Sequence, residues 1–401
     1  MSPLLIIFVT VFIDLLGFGM IIPLLPFYAE RFGGAGLTVG LLSVSFSLMQ
    51  FIFVPILGRW SDRVGRRPII MLGLFGSFAS YLVFAFARSL TLLFVSRAVA
   101  GAAGGTIATA QAFIADTTTA ENRAKGMGLI GAAFGLGFIF GPAIGGYLSG
   151  WSYAAPPIFA SLLSLANFGA AWLLLPESLK RAEAGEPRPR LSRLESLRRA
   201  LERPCLPALL GVYFVIIVAF SGFEATFALF SEHRHHFTPS MIGNMFAYVG
   251  VLAVVVQGGL VGRAARRLGE RSLVALGAMA VAAGLAFIPL AASWVGLSAA
   301  AGLMAVGMGF GNPSMSSLIS RWSRAEDQGG ILGLSQSLGS LARIVGPAWG
   351  GFLFDHYGPG SPYVSSAALM LLAFVVSVAG LRMPACEQSG QAGRFAPRPY
   401  Q

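Results

Sequence analysis

Four charged residues stand inside long apolar stretches of this chain: Asp14, Arg97, Glu224 and Arg343. A charge in hydrocarbon costs about 2.5–3.5 kcal/mol on the membrane-insertion scale, so each needs a partner or a hydrated cavity. A carboxylate held in such a cavity is suited to binding and releasing protons near neutral pH. We therefore predict that Asp14 and Glu224 are the proton-coupling pair. The two arginines are predicted to tune the pKa of these acids or to hold an anionic substrate group. The alternative is a set of structural ion pairs that hold the helices together.

The apolar stretches must position these charges. We find twelve, at residues 3–26, 36–57, 68–87, 90–114, 124–148, 152–175, 207–230, 239–261, 272–291, 295–319, 329–353 and 362–381. Each is close to the length of about 20 residues that crosses a bilayer as a helix. Only 11% of the residues are charged, against about 25% in soluble globular domains. The sequence predicts an all-α integral membrane protein with twelve transmembrane helices in two six-helix bundles.

The basic residues indicate the topology. Apart from Arg97 and Arg343, 23 Lys and Arg fall on one side of the predicted membrane, and only Arg31, Arg88 and Arg234 fall on the other. The positive-inside rule then predicts that both termini are cytoplasmic. The net charge of +11 follows from this asymmetry, so we expect no nucleic-acid partner. Arg greatly outnumbers Lys, which favours a GC-rich bacterial genome and a multi-pass protein of the bacterial inner (plasma) membrane.

One long polar segment divides the chain. Residues 178–206 are rich in Arg, Glu and Pro and are predicted to form a cytoplasmic linker. We therefore predict an N-terminal bundle over 1–177, a C-terminal bundle over 207–382 and a cytoplasmic tail over 383–401.

The two halves repeat each other at an offset of 204–205 residues. The loop Gly58–Arg67 returns as Gly262–Arg271, and the run Gly141–Gly146 returns as Gly346–Gly351. Two matches at one offset indicate a duplication, which would place a substrate site near the midplane between the halves.

These motifs resemble the major facilitator superfamily over nearly the whole chain. Gly58–Arg67 resembles its signature loop after helix two, and the glycine-rich run that begins at Gly131 resembles its antiporter motif in helix five. Ala112–Asp116 with Glu121–Ala124, and the run from Asp14 to Pro26, are similar to tetracycline/proton antiporters of the twelve-helix drug:proton group. That group also carries acids within helices three and nine. Neither predicted helix has one here, so we do not expect a tetracycline–metal chelate as substrate.

The resemblance implies a conformational latch in the first loop. Gly58 and Gly65 are expected to allow tight turns. Asp62 is expected to accept hydrogen bonds from Arg63 or Arg67, or to face a helix N-terminus. The second copy has Arg266 in place of Asp62, so we expect an asymmetric latch; the alternative is that the arginines only set topology. The predicted latch residues are Gly58, Asp62, Arg63, Gly65, Arg66, Arg67, Asp116 and Arg123.

The helix-five motif predicts close packing. Small residues at every fourth position let helices pack backbone to backbone, and Pro142 removes a helix donor. We expect this packing to seal or hinge one side of a transport path. The motif residues are Gly131, Gly135, Gly141, Pro142, Gly145 and Gly146.

Uncharged polar residues within the spans extend the predicted cavity lining. They are Gln50, Gln111, Asn167, Gln257, Asn312 and Gln336. The run His233–His236 is interpreted as a solvated loop whose charge changes with pH, in preference to a metal site. We expect no resident metal.

The favoured function is proton-coupled efflux of small amphipathic or drug-like compounds by alternating access, in a monomer. The alternative is a proton-coupled importer or facilitator of a small metabolite such as a sugar or organic acid, and a receptor-like scaffold is a third class. No phosphate-binding loop or catalytic set is present, so we expect no enzyme and no cofactor, only a proton gradient, a small-molecule substrate and the lipid bilayer.

Overall fold

The regular structure is helical wherever the chain is described. The computed structural model describes residues 3–179, 195, 198, 200–203, 205–323 and 328–380. Its long helical spans, numbered along the chain, are Pro3–Arg31, Gly36–Val64, Arg66–Ala85, Leu90–Thr117, Ala120–Ser149, Ala155–Leu174, Leu206–His235, Pro239–Leu268, Glu270–Leu290, Trp294–Trp322, Gln328–Tyr357 and Ser361–Gly380. Eleven of them are long and apolar enough to cross a membrane. Span 11, Gln328–Tyr357, has 30 residues but is richer in Gly, Ser and Gln, which lowers its hydropathy. The predicted all-helical membrane fold is confirmed.

Several spans are interrupted where the sequence weakens an α-helix. In span 1, the helices Pro3–Ile21 and Leu25–Arg31 flank a 3₁₀ turn that contains Pro23, because proline cannot donate the helical hydrogen bond. Span 4 is broken between Leu90–Ala103 and Thr106–Thr117 at a glycine pair. Span 8 contains a π-helical segment, Val256–Leu260.

Apolar side chains cover the surface of the helices. Leu173, Leu290 and Val295 are each at least 74% exposed, as are many other large apolar residues to a lesser degree. In water this would favour aggregation, but it suits contact with lipid tails. Hydroxyl groups within the helices bond to their own backbone: Ser221 and Thr226, for example, each donate to the carbonyl four residues earlier, at 2.7 and 2.9 Å.

Packing divides the chain into two compact units. The first contains Met1–Gly185 together with Gly222–Val251 and Pro347–Pro362, and the second contains Glu186–Ser221, Leu252–Gly346 and Tyr363–Gln401. Each unit therefore draws on both predicted bundles, whose boundaries stay a prediction. In the first unit, two buried clusters run along span 1, centred on Val11 and Met20. In the second, Ile217 and Val218 pack against Ala342.

The glycines of span 5 pack against span 1. A Cβ built on Gly141 would lie 2.8 Å from the Leu16 carbonyl oxygen, and one on Gly145 would lie 2.7 Å from the Met20 carbonyl oxygen. Real Cβ atoms do not approach backbone so closely, so only glycine fits. The prediction does not extend to Gly131, where nothing lies within 4 Å of such a Cβ in the described structure.

The opposite face of span 5 packs against span 8 within the same unit. A Cβ on Gly243 would overlap the Pro142 carbonyl oxygen, and one on Gly146 would lie 2.9 Å from that of Pro239. The Ser240 hydroxyl also donates to the Gly146 carbonyl at 2.5 Å. Pro142 and Gly146 thus lie at a backbone-to-backbone crossing.

The second copy of the motif makes the corresponding contacts. A Cβ on Gly350 would lie 3.2 Å from the Gly222 carbonyl oxygen of span 7, and one on Gly351 would overlap the Gly36 carbonyl oxygen of span 2. Gly40 of span 2 meets the Pro347 carbonyl in the same way. Equivalent glycines thus make equivalent contacts in the two copies. Those of span 5 pack against spans 1 and 8, and those of span 11 pack against spans 7 and 2.

We predict that Gly145→Leu lowers the apparent melting temperature of the purified protein, because overpacking a tight contact costs about 1–3 kcal/mol. Gly131→Leu is the matched control in the same helix and should leave the melting temperature unchanged. Equal effects of the two substitutions in a thermal-unfolding assay would contradict the assigned packing.

Candidate functional site

Asp14 lies on span 1 at its contact with span 3. Its carboxylate accepts a hydrogen bond of 2.8 Å from the Ser77 hydroxyl. One turn along, Tyr81 is buried against Gly17, where a Cβ would lie 2.9 Å from the tyrosine ring. The glycine thus lets the tyrosine approach span 1 beside the carboxylate.

Arg97 of span 4 is buried between aromatic rings. Its guanidinium lies 4.6 Å from the centre of the Phe46 ring and 5.8 Å from that of Phe18, at 4% exposure of the whole residue. A desolvated cation over an aromatic face gains about 2 kcal/mol. Its Nε has no hydrogen-bond partner among the described residues.

Tyr81 connects Asp14 to this arginine, and the arginine in turn connects to Glu224. Tyr81 lies near both Asp14 and Arg97. Arg97 also interacts electrostatically with the half-buried Glu224 of span 7. All of these residues belong to the first compact unit. Three of the four predicted intramembrane charges therefore fall in one polar series, Asp14–Ser77–Tyr81–Arg97–Glu224.

The fourth charge lies in the second unit. Arg343 of span 11 is half-buried and lies near Tyr213 of span 7. Ser77, Tyr81 and the two phenylalanines beside Arg97 were not predicted as site residues, because neutral side chains in apolar spans do not stand out. Ser77 and Tyr81 are four residues apart, and this spacing places both polar side chains on one face of span 3. It is the sequence signal that could have identified them.

The predicted polar lining residues fall at several different places. Gln111, Gln257 and Gln336 are exposed, while Gln50 and Asn312 are half-buried. Within the described part of the chain, no hydrogen bond joins them to the charged series. Asn167 is buried, and its side-chain amide donates to the Thr10 carbonyl at 3.0 Å. It therefore ties span 6 to span 1, a structural contact where a cavity position was predicted.

The predicted latch is built around Arg66. Its guanidinium is buried and donates to Asp62 at 2.6 Å, to Ser61 at 2.7 Å and to Asp116 at 2.8 Å. One arginine thus joins the end of span 2, the start of span 3 and the end of span 4. Charge-assisted hydrogen bonds of this length are about twice as strong as neutral ones.

Asp62 has a partner that was not predicted. It pairs with Arg66, four residues on and facing the same side, while Arg63 is exposed and Arg67 donates to the Trp172 carbonyl. The start of span 3 is capped by Glu177 of the chain after span 6, which accepts from the amides of Arg66 and Arg67 at 2.8 and 3.2 Å.

Only one of the two predicted turn glycines forms a turn. Gly65 has a φ of +116° and ends span 2, and a Cβ there would overlap the Glu177 carboxylate. Gly58 lies within the helix Gly36–Val64, with open space where a Cβ would stand. The side chain of Arg123 lies outside the described residues.

The second copy of the loop has the same construction with its charges inverted. Glu270 stands at the start of span 9, where the first copy has Arg66, and Arg321 ends span 10 at the position that corresponds to Asp116. Glu270 accepts from the Ser317 hydroxyl at 2.7 Å and lies 3.4 Å from Arg321. Arg266 in place of Asp62 completes the inversion, so the expected asymmetry is one of sign.

A second capping contact lies at the opposite end of the helices. Asp355, near the end of span 11, accepts hydrogen bonds of 2.8 Å from the amides of both Gly36 and Leu37. These amides begin span 2 and have no partner within their own helix, and the helix dipole favours a negative charge there. A carboxylate 318 positions away thus completes this helix within the first unit.

We predict that Glu270→Arg and Arg321→Glu each lower the apparent melting temperature and that the double exchange recovers part of the loss. The coupling should be about 0.5–1 kcal/mol, because Arg321 is 61% exposed and the pair is partly screened. Glu270→Arg with Arg263→Glu is the matched control. A double exchange no better than this control would contradict the pairing.

We also predict that Asp355→Ala speeds hydrogen exchange at the amides of Gly36 and Leu37, because both lose their acceptor. Asp355→Asn should keep partial protection, and His356→Ala should change nothing. The measurement is hydrogen–deuterium exchange of the peptide that begins span 2. Unchanged exchange in Asp355→Ala would exclude the cap.

The chain is similar to known proteins over most of its length. A model of the Major Facilitator Superfamily matches residues 7–295 and again residues 209–398. Multidrug resistance protein 2 of Bacillus subtilis (strain 168) is 31% identical over 370 residues, 90% of this chain and 91% of the relative. Tetracycline resistance protein, class B, of Escherichia coli is 30% identical over 386 residues, 94% of this chain and 96% of the relative.

A solved structure is similar over almost the same extent. The human organic anion transporter MFSD10 (TETRAN) is 28% identical, with a TM-score of 0.70, and the match covers 93% of this chain and 98% of that one. The family match, the two relatives and this structure extend over nearly all of the sequence, including both copies of the loop and glycine motifs. The chain belongs to the major facilitator superfamily.

Proposed function

We propose that the chain exports small amphipathic or drug-like compounds across a bacterial inner membrane in exchange for protons. The observation that carries the proposal is the polar series from Asp14 to Glu224, which links two acids on different spans through Arg97. Apolar helices surround it, so a change in protonation at either acid alters the charge balance of the whole series.

The mechanism is a competition between the proton and the compound. A carboxylate that is protonated loses its attraction for Arg97 or for a cationic compound, and one that is ionised regains it. Binding of compound on one side therefore favours proton release, and proton entry from the other side favours compound release. Alternation between the two states couples the flows, since a ligand shifts only an equilibrium in which it prefers one state.

The names of the relatives support a drug-like substrate. One is a multidrug resistance protein and another a tetracycline resistance protein. Span 3 of this chain carries Ser77 and Tyr81 instead of an acid, which leaves fewer ligands for a metal chelate. We therefore propose amphipathic compounds other than the tetracycline–metal complex.

A second candidate is export or import of organic anions. The guanidinium of Arg97 lies beside Phe46 and Phe18, an arrangement that suits a carboxylate attached to an apolar body. The 28% identical human protein is described as an organic anion transporter. Transport of anions rather than cations or neutral compounds in the test below would favour this candidate.

The latch and the cap belong to opposite faces of the membrane in this proposal. With both termini cytoplasmic, the Arg66 cluster faces the cytoplasm and the Asp355 cap faces outward. The glycine crossings of spans 5 and 11 then close the outer end around the polar series.

The test is substrate-driven proton movement in liposomes that contain the purified protein, with a panel of cationic, neutral and anionic compounds. We expect at least one class to drive proton flux. Asp14→Asn and Glu224→Gln should reduce that flux at least about tenfold, because a coupling carboxylate contributes more than about 1.4 kcal/mol.

Glu202→Gln, an exposed acid outside the spans, is the matched control and should transport normally. Compound transport without any proton flux would replace antiport by facilitated diffusion. Full coupling in both Asp14→Asn and Glu224→Gln would remove those residues from the mechanism.

A further inference from the structure

Three potential metal ligands meet at the end of the helices where Asp355 caps span 2. The ligand atoms of Glu30, Glu232 and His233 all lie within 4.8 Å of one another. His233 Nε2 is 2.6 Å from Glu30 Oε1 and 3.8 Å from Glu232 Oε2. Glu30 stands 203 positions before His233, so the spacing of the histidine run could not reveal this set.

The two carboxyl groups of the set also lie against each other. Glu232 contacts Glu30 through its side chain and interacts electrostatically with His233 and His236. Two neighbouring carboxylates repel each other unless a proton or a cation lies between them. Arg31 directly follows Glu30, and Arg234 directly follows His233. In the described structure neither arginine forms an ion pair with the two acids.

The ligands are held in place by packing. Tyr28, two residues before Glu30, is buried, packs at a tilt against the Phe84 ring and donates to the Tyr153 carbonyl at 2.9 Å. The His233 ring packs edge-on against Phe354, with 5.7 Å between the ring centres. The end of span 1 and the last turn of span 7 thus hold their ligand residues in packed positions.

We propose that Glu30, Glu232 and His233 bind a divalent transition-metal ion such as Zn²⁺. Zn–N and Zn–O bonds of about 2.0–2.2 Å place tetrahedral ligands about 3.4 Å apart. The two histidine–carboxylate distances, 2.6 and 3.8 Å, lie on either side of that value. The set is one imidazole and two carboxylates, which leaves a fourth position for water.

Occupancy would join the end of span 1 to the end of span 7. The ion replaces the hydrogen bonds within the set by three coordinate bonds and neutralises the two acids. A ligand that binds only the folded arrangement stabilises it. Zn²⁺ should therefore raise the apparent melting temperature.

The test is titration of the full-length, tag-free protein in detergent with Zn²⁺ by calorimetry, with thermal unfolding as a second readout. We expect one equivalent of Zn²⁺ and a rise in melting temperature. Glu30→Gln, Glu232→Gln and His233→Ala should each weaken binding at least about tenfold, since each removes a direct ligand.

His356→Ala is the matched control: it removes another exposed histidine of the same unit and should bind Zn²⁺ like the unaltered protein. The melting temperatures without metal establish that each variant is folded. Absence of Zn²⁺ binding, or the same affinity in all variants, would overturn the proposal. Neither measurement involves transport, so this result is independent of the proposed function.

Discussion

The cost of placing charge inside a bilayer is the constraint on which the rest of this structure depends. Asp14, Arg97 and Glu224 each stand within an apolar helix, where an unpaired charge is unstable. The chain meets that cost by bringing them into one polar series with Ser77 and Tyr81. Because a series of this kind changes its charge balance when one proton is added or removed, the same arrangement supplies the proton response that the proposed function requires.

The helices that carry this series are held by two different kinds of contact. Glycines of spans 5 and 11 bring backbones together where hydrocarbon offers no hydrophobic drive for association. Carboxylates and arginines act at the helix ends, where Glu177 and Asp355 cap span 3 and span 2 from distant parts of the chain. The duplicated halves keep both kinds of contact. In the loop motif the charges are exchanged: Arg66 pairs with Asp116 in the first half, and Glu270 pairs with Arg321 in the second.

The sequence was most informative where the physics is local. Hydropathy predicts the helical spans, and the rarity of intramembrane charge identifies Asp14, Arg97 and Glu224. The turn at Gly65 was predictable because glycine readily adopts the positive φ that this turn requires and other residues rarely do. Long-range partners were not predictable: the roles of Glu177, which caps span 3, and of Asp355, which caps span 2, were missed. Those pairings depend on which helix ends meet, and a single sequence does not contain that information.

The most direct measurement of the central claim is infrared difference spectroscopy of the reconstituted protein with and without an exported compound. The account predicts a protonated-carboxyl band that changes on binding and is lost in Asp14→Asn or in Glu224→Gln. A compound-induced spectrum without any carboxyl band, or one identical in both variants and the unaltered protein, would contradict the claim that these acids exchange protons with substrate.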